Sequence, residues 1–172
     1  MIIFDLDGTL ADCEHRRHFV DKSYITCGID CTDKKRCLEC LRKLEKDQPD
    51  WKLFYEACDK DTPIQATVDV LNLLKDHFQI QIWSGRCESV RARTNTWLLI
   101  NVTGDLNIIK NLKMRPIGDY TPDDVLKERW LDEAISEGKQ VDYVFDDRPK
   151  VVRMWRRRGI FVFDVNQSGK EF

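Results

Sequence analysis

The chain has 172 residues, 42% of them hydrophobic and 34% charged, with a formal net charge of −2 at pH 7. This composition predicts a soluble globular protein with one main domain. The near-neutral charge excludes a broad basic surface, so any grip on a polynucleotide must be local. Residues 1–4 lack the basic lead of a signal peptide, and no apolar run is long enough for a bilayer, so we expect a cytoplasmic protein.

The first predicted element is a short buried strand over residues 1–4, followed by the acidic loop 5–9. Residues two apart on an extended segment point the same way, so Asp5 and Asp7 can face one small volume. Two carboxylates held together repel each other, and either a shared proton or a divalent cation relieves that repulsion; a hard ion such as Mg2+ fits best. The alternative is an acidic turn that closes a strand, with Gly8 at the bend.

A short helix is predicted over residues 11–20, and it contains Arg16. This spacing allows Arg16 either to reach the substrate or to lie on a solvated helix face. Residues 20–61 then interrupt the alternation of strands and helices, and we interpret them as a small helical, cysteine-rich cap insertion. Residues 1–19 and 62–172 form the predicted core domain.

The insertion has little apolar sequence but carries four cysteines: Cys27, Cys31, Cys37 and Cys40. A reducing compartment and an odd total of seven cysteines argue against a disulfide framework. Four thiolates could bind a structural Zn2+, which would supply folding energy that the segment lacks. Their spacing differs from the paired zinc motifs, and free, partly buried cysteines are the alternative. Cys13, His15 or His18 could replace one ligand.

Two helices are predicted around the end of the insertion. Asp50 can cap the first, which carries Trp51, Phe54 and Tyr55. Thr62 and Pro63 are typical of a helix start, with a cap residue followed by proline, and this helix is predicted to continue to about residue 76.

The strand predicted over residues 78–83 leads to Ser84, Gly85 and Arg86, and a helix follows from about residue 88 to 100. Free N–H groups at a helix N-terminus favour an anion, so this junction is a candidate phosphate site. A plain strand–turn–helix junction with serine as the cap is the alternative.

A further strand is predicted within residues 108–115, and Thr121 and Pro122 again resemble a helix start. The helix over residues 122–137 has this predicted apolar set: Val125, Leu126, Trp130, Leu131 and Ile135. Lys127 lies near its N-terminus, where a cation opposes the helix dipole. That placement favours a nearby anionic site.

The next strand, residues 141–145, ends at Asp146, Asp147 and Arg148. Either carboxylate could complete an oxygen shell around a cation. A helix then begins at Pro149 and ends at Gly159, and its four arginines indicate either a phosphate-backbone contact or a solvated face. The last predicted strand covers residues 160–165.

This alternation predicts an α/β fold with three layers and a mostly parallel, Rossmann-like sheet. Ligands of such sheets bind beyond the carboxyl ends of the strands. The acidic loop, the junction at Ser84 and the Asp146–Asp147 pair all follow such ends, so we expect them to meet.

The order of these motifs resembles that of the haloacid dehalogenase superfamily of phosphohydrolases. Its four signatures correspond to residues 5–9, Ser84, Lys127 and the pair at 146–147. Residues 84–86, 123–127 and 146–157 are also similar to the 3′-phosphatase domain of bacteriophage polynucleotide kinase/phosphatase. The resemblance covers the chain outside the insertion.

The resemblance implies a Mg2+-dependent enzyme that removes 3′-phosphates from DNA or RNA ends in repair. Asp5 would be the nucleophile and Asp7 the general acid and base, while Ser84 and Lys127 would hold the phosphoryl group. The implied Mg2+ ligands are Asp5, the Asp7 backbone carbonyl, Asp146 and Asp147. The implied substrate-binding residues are Thr9, Arg16, Gly85, Arg86 and Arg148.

Two other functions stay open on the sequence. The first is a nucleotidase for free nucleoside monophosphates, and the second is a non-catalytic binding module that uses the cysteine cluster. No G-x-x-x-x-G-K-[ST] phosphate loop occurs in the chain, so we expect no 5′-kinase activity from it. We expect a monomer or a weak homo-oligomer without a membrane partner.

Overall fold

The computed structural model of the chain describes residues 1–21 and 49–166. The chain forms two compact units, one of Met1–Asp12 with Thr62–Phe172 and the other of Cys13–Asp61. The second unit contains the residues 20–61 that we interpret as an insertion, together with residues 13–19.

The first unit is built on a parallel sheet. The strands in the described residues are β1 (Ile2–Phe4), β2 (Ala11–Asp12), β3 (Thr62–Pro63), β4 (Ile80–Cys87), β5 (Lys113–Arg115), β6 (Tyr143–Asp146) and β7 (Phe161–Asp164). Five of them form one sheet in the order β5-β4-β1-β6-β7, and every neighbouring pair is parallel. β2 and β3 form a separate antiparallel pair. The predicted α/β class with a parallel sheet is confirmed.

Helices connect the strands. The α-helices in the described residues are α1 (Trp51–Glu56), α2 (Gln65–Leu74), α3 (Arg91–Asn101), α4 (Leu106–Lys110), α5 (Asp123–Ser136) and α6 (Pro149–Arg157). None of the helices within residues 1–21 and 49–166 is long and apolar enough to cross a bilayer.

One buried apolar cluster lies between the sheet and the helices α5 and α6. Ile3, Trp83 and Val144 from the sheet pack there against helix residues that include Trp130 and Trp155. The Trp83 ring contacts the rings of both Trp130 and Trp155, with ring centroids 5.9 Å apart in each pair. These large buried rings fix α5 and α6 against the carboxyl half of the sheet, which positions the residues that those helices carry.

Two local predictions were wrong, and a third was displaced by one residue. Residues 11–20 form the short strand β2 and the 3₁₀ helix Glu14–Phe19. Thr62 and Pro63 form β3, so α2 begins only at Gln65. Pro122 is itself the N-cap of α5, without a side-chain capping bond. In the first two places, pairing of β2 with β3 overrides the local helix signals.

Burial on α5 also departs from the predicted apolar set. Leu126, Trp130 and Leu131 are buried as expected. Val125 and Ile135 are 43% and 51% exposed, whereas Lys127 is only 3% exposed. The face turned inward therefore carries a lysine, which is costly unless the charge is paired.

The second unit contains the 3₁₀ helix Glu14–Phe19, α1 and the 3₁₀ helix Ala57–Lys60. Asp50 caps α1 as predicted, because its carboxylate accepts a hydrogen bond of 2.9 Å from the Leu53 amide. Phe54 and Cys58 are buried in this unit.

Candidate active site

The acidic loop follows β1 at the carboxyl edge of the sheet. The Asp5 amide still donates to the Phe145 carbonyl at 2.9 Å, so the ladder fixes Asp5 at the strand end. Gly8 then turns the chain with a φ of +88°, and an added Cβ there would lie 2.0 Å from an Asp147 carboxylate oxygen. Both the turn and this close approach require glycine.

Lys127 joins the acidic loop to the end of β6. Its Nζ lies 2.6 Å from Asp5 Oδ1 and 2.8 Å from Asp146 Oδ2, and all three side chains are buried. Trp155 Nε1 donates to the same Asp146 oxygen at 3.2 Å. The lysine that seemed misplaced on a helix surface therefore has an anionic partner on each of two strands.

Three buried carboxylates surround one small volume. Asp5, Asp146 and Asp147 each place an oxygen within 4.8 Å of the others. Thr9 Oγ1 donates to Asp147 Oδ1 at 3.3 Å, so the loop also orients the third carboxylate. One lysine balances a single negative charge, and the remaining charge matches a hard divalent cation with oxygen ligands. The donor set therefore fits Mg2+.

The protonation of this group reflects its excess of carboxylates. Burial raises the pKa of Asp5 to about 8, with neighbouring Asp146 and Asp147 adding to the rise against the opposing effect of Lys127. Burial likewise raises the pKa of Asp147 to about 7, and Asp146 reinforces it. Burial alone would lower the pKa of Lys127, but the Asp146 and Asp5 carboxylates raise it above the usual value. Lys127 is therefore cationic, and the surplus carboxylates retain protons when no cation is bound.

Asp7 has a different partner from Asp5. Arg86, which is fully buried, donates from Nε to Asp7 Oδ1 at 2.9 Å, and its Nη2 contacts the same oxygen. The Asp7 side chain keeps 23% exposure, so its carboxylate is held in place and still accessible. Its side chain is not a member of the three-carboxylate group, and the part of its backbone carbonyl in metal binding stays a prediction.

Ser84 and Gly85 lie directly before this arginine on β4. The Arg86 amide donates to Ser84 Oγ at 3.1 Å, which fixes the hydroxyl, and Ser84 is fully buried. Residues 84–86 lie within β4, which continues to Cys87, and not in the predicted turn before a helix. A Cβ added to Gly85 would lie 2.8 Å from Asp123 Oδ1, so this glycine permits a close approach of α5. The residues 84–86 are thus placed beside the first turn of α5.

Sequence reasoning missed two residues at this edge, Asp123 and Arg115. The Asp123 carboxylate binds the guanidinium groups of Arg115 and Arg148, one on each oxygen. Arg115 Nε also donates to the Gly85 carbonyl at 3.0 Å. Asp123 lies four residues before Lys127, one helical turn away, and that spacing is the signal that could have identified it.

Arg16 belongs to the second unit and has its own acidic partner there. Its Nε and Nη2 donate to the two oxygens of Asp61, each at 2.7 Å, and both side chains are fully buried. Its Nη1 donates to the Phe54 carbonyl at 3.1 Å. His15 Nε2 lies 2.9 Å from Asp61 Oδ1. A role of Arg16 in substrate binding stays a prediction.

The predicted zinc ligands Cys27, Cys31, Cys37 and Cys40 lie outside the described residues. The cysteines within the described part of the chain are Cys13, Cys58 and Cys87, and none of them forms a disulfide. Structural zinc therefore stays a prediction.

Comparison with known proteins identifies the family to which this chain belongs. Residues 45–169 match the family model described as the polynucleotide kinase PNKP phosphatase domain. This stretch includes Ser84, Lys127 and Asp146, whereas Asp5 and Asp7 precede it. A protein described as a bifunctional polynucleotide kinase/RNA ligase, from Autographa californica nuclear polyhedrosis virus, is 34% identical over 130 residues. That alignment covers 72% of this chain but only 18% of the viral protein.

Solved structures share the fold. Two chains of the Pnkp1/Rnl/Hen1 RNA repair complex superpose with TM-scores of 0.61, at 23% and 26% identity. Each covers 95% of this chain, which spans 41% and 44% of theirs. A haloacid dehalogenase-like hydrolase from Streptococcus pneumoniae superposes with a TM-score of 0.56 at 16% identity, over 95% of this chain and 82% of its own. Since the family model spans most of the sequence, the chain belongs to the polynucleotide kinase PNKP phosphatase domain family, with the fold of haloacid dehalogenase-like phosphohydrolases.

Proposed function

We propose that the protein is a Mg2+-dependent phosphomonoesterase that removes 3′-phosphates from nucleic-acid ends through a phospho-aspartate. The observation that carries this proposal is the position of Lys127 Nζ, 2.6 Å from Asp5 and 2.8 Å from Asp146. This cation joins the candidate nucleophile to the carboxylate group suited to a metal. A phosphoryl group carries its charge on several oxygens, and a neighbouring cation stabilises that charge as it develops.

Asp5, Asp146 and Asp147, with the Asp7 backbone carbonyl, would hold the ion. A bound Mg2+ supplies positive charge that orients the phosphoryl group and stabilises its oxygens. It would also favour the ionised form of Asp5, whose pKa is otherwise raised to about 8 by burial and by its acidic neighbours. Asp5 thereby becomes available as a nucleophile at neutral pH.

Asp5 and Asp7 divide the reaction between them. An Asp5 carboxylate oxygen attacks phosphorus, so a new P–O bond to Asp5 forms while the bond to the 3′ oxygen breaks. Asp7 donates a proton to the departing 3′ oxygen and then takes one from the water that attacks the phospho-aspartate. That second displacement releases inorganic phosphate and regenerates Asp5. The partial exposure of the Asp7 side chain is consistent with proton transfer to substrate and water.

The remaining site residues would bind the substrate. The Ser84 hydroxyl and the Lys127 ammonium would hold phosphoryl oxygens, and Gly85 would let the chain approach them closely. Arg86 orients Asp7 through its two contacts with that carboxylate, and it would face the nucleotide. Arg148 is 32% exposed on its side chain, which suits contact with a backbone phosphate. Thr9 would act through its bond to Asp147, which orients that carboxylate.

The nucleic-acid substrate is supported by the family and its relatives. The viral relative is described as a polynucleotide kinase/RNA ligase, and the solved relatives lie in an RNA repair complex. We propose that this chain likewise acts on 3′-phosphorylated DNA or RNA ends during end repair.

A phosphate-release assay with matched substrates tests the proposal. The substrates are one oligonucleotide sequence as DNA and as RNA, each with a 3′-phosphate or a 5′-phosphate, and free nucleoside 3′- and 5′-monophosphates. We expect release from the 3′-phosphorylated oligonucleotides with Mg2+, and no release with excess chelator. Rapid turnover of the monophosphates with intact 3′-phosphorylated ends would contradict the proposal and identify a nucleotidase.

A further inference from the structure

The loop between β5 and α5 presents two exposed apolar side chains beside the candidate active site. Tyr120 is 90% exposed and Ile117 is 73% exposed, and both lie in residues 116–122. This loop follows the carboxyl end of β5, where Arg115 is the register partner of Cys87 at the end of β4. It therefore belongs to the same edge of the sheet as residues 84–86.

The backbone on both sides of Tyr120 is fixed by hydrogen bonds. The Asp119 amide donates to the Pro116 carbonyl at 3.1 Å, and Gly118 has a φ of +81°, which is typical of a type II turn. The Thr121 amide donates to Asp119 Oδ1 at 2.8 Å. Arg129 Nη2 donates to Asp119 Oδ2 at 2.8 Å and to Thr121 Oγ1 at 3.0 Å. Tyr120 is therefore an exposed ring on an ordered support.

Arg115 connects this support to the active site. Its Nη1 donates to the Thr121 carbonyl at 2.5 Å and to the Asp119 carbonyl at 3.3 Å. The other end of its guanidinium binds Asp123, which also binds Arg148. The Arg148 amide donates in turn to Asp146 Oδ1 at 3.2 Å, in the carboxylate group. Two guanidinium groups, with the Asp123 carboxylate between them, thus connect the Tyr120 loop to Arg148, the residue that follows Asp146 and Asp147.

We propose that Tyr120 is a stacking platform for a nucleobase of the strand whose 3′-phosphate occupies the active site. This inference rests on the proposed function, since it takes the substrate to be a polynucleotide. Aromatic side chains bind single-stranded nucleic acid by stacking on the face of a base, which suits an exposed ring held on a rigid loop. Arg129, at 51% side-chain exposure, binds the side chains of both chain neighbours of Tyr120, so it places a guanidinium beside the loop for a backbone phosphate.

The proposal also explains how a chain with a net charge of −2 could hold a polynucleotide. Stacking does not depend on a broad basic surface, and it tolerates any base sequence. Tyr120 would therefore determine the preference for strands over free phosphate esters, without contacting the reacting phosphorus.

Equilibrium binding tests this inference independently of turnover. The probe is a fluorescent 3′-phosphorylated oligonucleotide, and binding is measured in the presence of Mg2+. The protein carries Asp5→Asn so that the probe is not hydrolysed. Adding Tyr120→Ala should weaken binding about tenfold, while Tyr120→Phe should keep affinity within about twofold because the ring is retained. The matched control is Phe161→Ala, since Phe161 is 62% exposed but lies at the amino end of β7. It should leave binding unchanged.

The outcomes separate this inference from the proposed function. Equal binding with and without Tyr120→Ala would overturn the stacking role, even if the parent protein hydrolyses 3′-phosphorylated strands. An equal loss in Phe161→Ala would also overturn it. Tenfold weaker binding in Tyr120→Ala alone would support stacking, even if the parent releases no phosphate, in which case only the proposed activity fails. Absence of binding by the Asp5→Asn protein would overturn the stacking role.

Discussion

Two buried arginine–aspartate pairs, one in each unit, differ in a way that separates chemistry from structure. Arg86 and Arg16 both have fully buried side chains and both bind a carboxylate through two nitrogens. Asp7, the partner of Arg86, keeps 23% of its side chain exposed, whereas Asp61, the partner of Arg16, is completely buried. Only the first carboxylate is placed to exchange a proton with a substrate.

The difference also shows in how the two carboxylates are bound. Arg86 donates from Nε and Nη2 to Oδ1 of Asp7, while Arg16 engages both oxygens of Asp61. Arg16 makes a further bond to the Phe54 carbonyl and lies 4.1 Å from the centroid of the Phe54 ring. We infer that the Arg86–Asp7 pair orients a reacting group and that the Arg16–Asp61 pair stabilises the second unit. Breaking such a sealed ion pair leaves a buried charge without compensation.

The largest effect on turnover is expected when Asp7, the partly exposed member of the Arg86–Asp7 pair, is changed. Asp7→Asn should lower turnover of a 3′-phosphorylated oligonucleotide about 1000-fold, because amide cannot act as acid and base. The variant should stay folded because Asn keeps an Oδ1 acceptor for Arg86, but its unfolding temperature should fall, since the buried guanidinium loses its counter-charge. The control is Asp132→Asn, which alters a surface pair with Arg158 and should leave turnover as in the parent. Turnover of Asp7→Asn within tenfold of the parent would contradict the assignment.

Changes to the buried Arg16–Asp61 pair should affect the stability of the protein more than its turnover. Asp61→Leu should lower the free energy of unfolding by about 3 kcal/mol, because the buried Arg16 charge then has lost its carboxylate. The double variant Arg16→Met with Asp61→Leu should recover much of that loss, since no isolated charge remains. Denaturant titrations of Asp61→Leu, Arg16→Met and the double variant measure this coupling. Strict additivity of the two changes would argue against a structural ion pair.

The stability of the metal-free protein should depend on pH, because its buried carboxylates then have no cation to balance their charge. The folded pKa values of Asp5 and Asp147 are raised to about 8 and about 7, so the folded protein retains protons that the unfolded chain has lost. Stability of the metal-free protein should therefore fall between about pH 4 and pH 8, by up to about 1.4 kcal/mol per pH unit for each group.

Unfolding measured with chelator at pH 5 and at pH 8 tests this dependence, and Mg2+ should restore stability at the higher pH. Asp147→Asn should flatten the profile because it removes one of the two titrating groups. A metal-free protein that is equally stable at both pH values would contradict the raised pKa values.

The smallest effect is expected from Gly85→Ala. The added methyl group would lie 2.8 Å from Asp123 Oδ1, so the end of β4 or the first turn of α5 must shift. A displacement of a few tenths of an ångström should lower turnover about tenfold with little change in the unfolding temperature. Gly104→Ala is the matched control, because nothing lies within 4 Å of its added Cβ. Equal activities of the two variants would show that the close approach is unimportant.

The sequence predicts the sheet and most of the polar residues at the carboxyl ends of its strands, because both follow from the regular spacing of apolar residues along the chain. Asp5, Lys127 and Asp146 are each placed by a strand end or a helix turn, and the structure brings them within hydrogen-bond distance. The position of Lys127 near the N-terminus of a helix was itself informative, because the helix dipole disfavours a cation there.

Partners that are distant in sequence could not be predicted in this way. Arg16 and Asp61 are 45 residues apart, and nothing local indicates that they form a pair. The β2–β3 ribbon likewise depends on long-range pairing, which overrode the capping signal at Thr62 and Pro63. Arg115 is an ordinary strand residue until the fold places Asp123 beside it.

Covalent capture of the phosphoryl group tests the central claim, that Asp5 reacts while Asp7 transfers protons. An aryl phosphate has a leaving group that needs no protonation, so Asp7→Asn should still form the adduct but hydrolyse it slowly. Mass spectrometry after an acid quench should then find one phosphoryl group on the peptide that contains Asp5, and none in the chelated control. A label elsewhere in the chain, or turnover without any adduct in Asp7→Asn, would contradict the account.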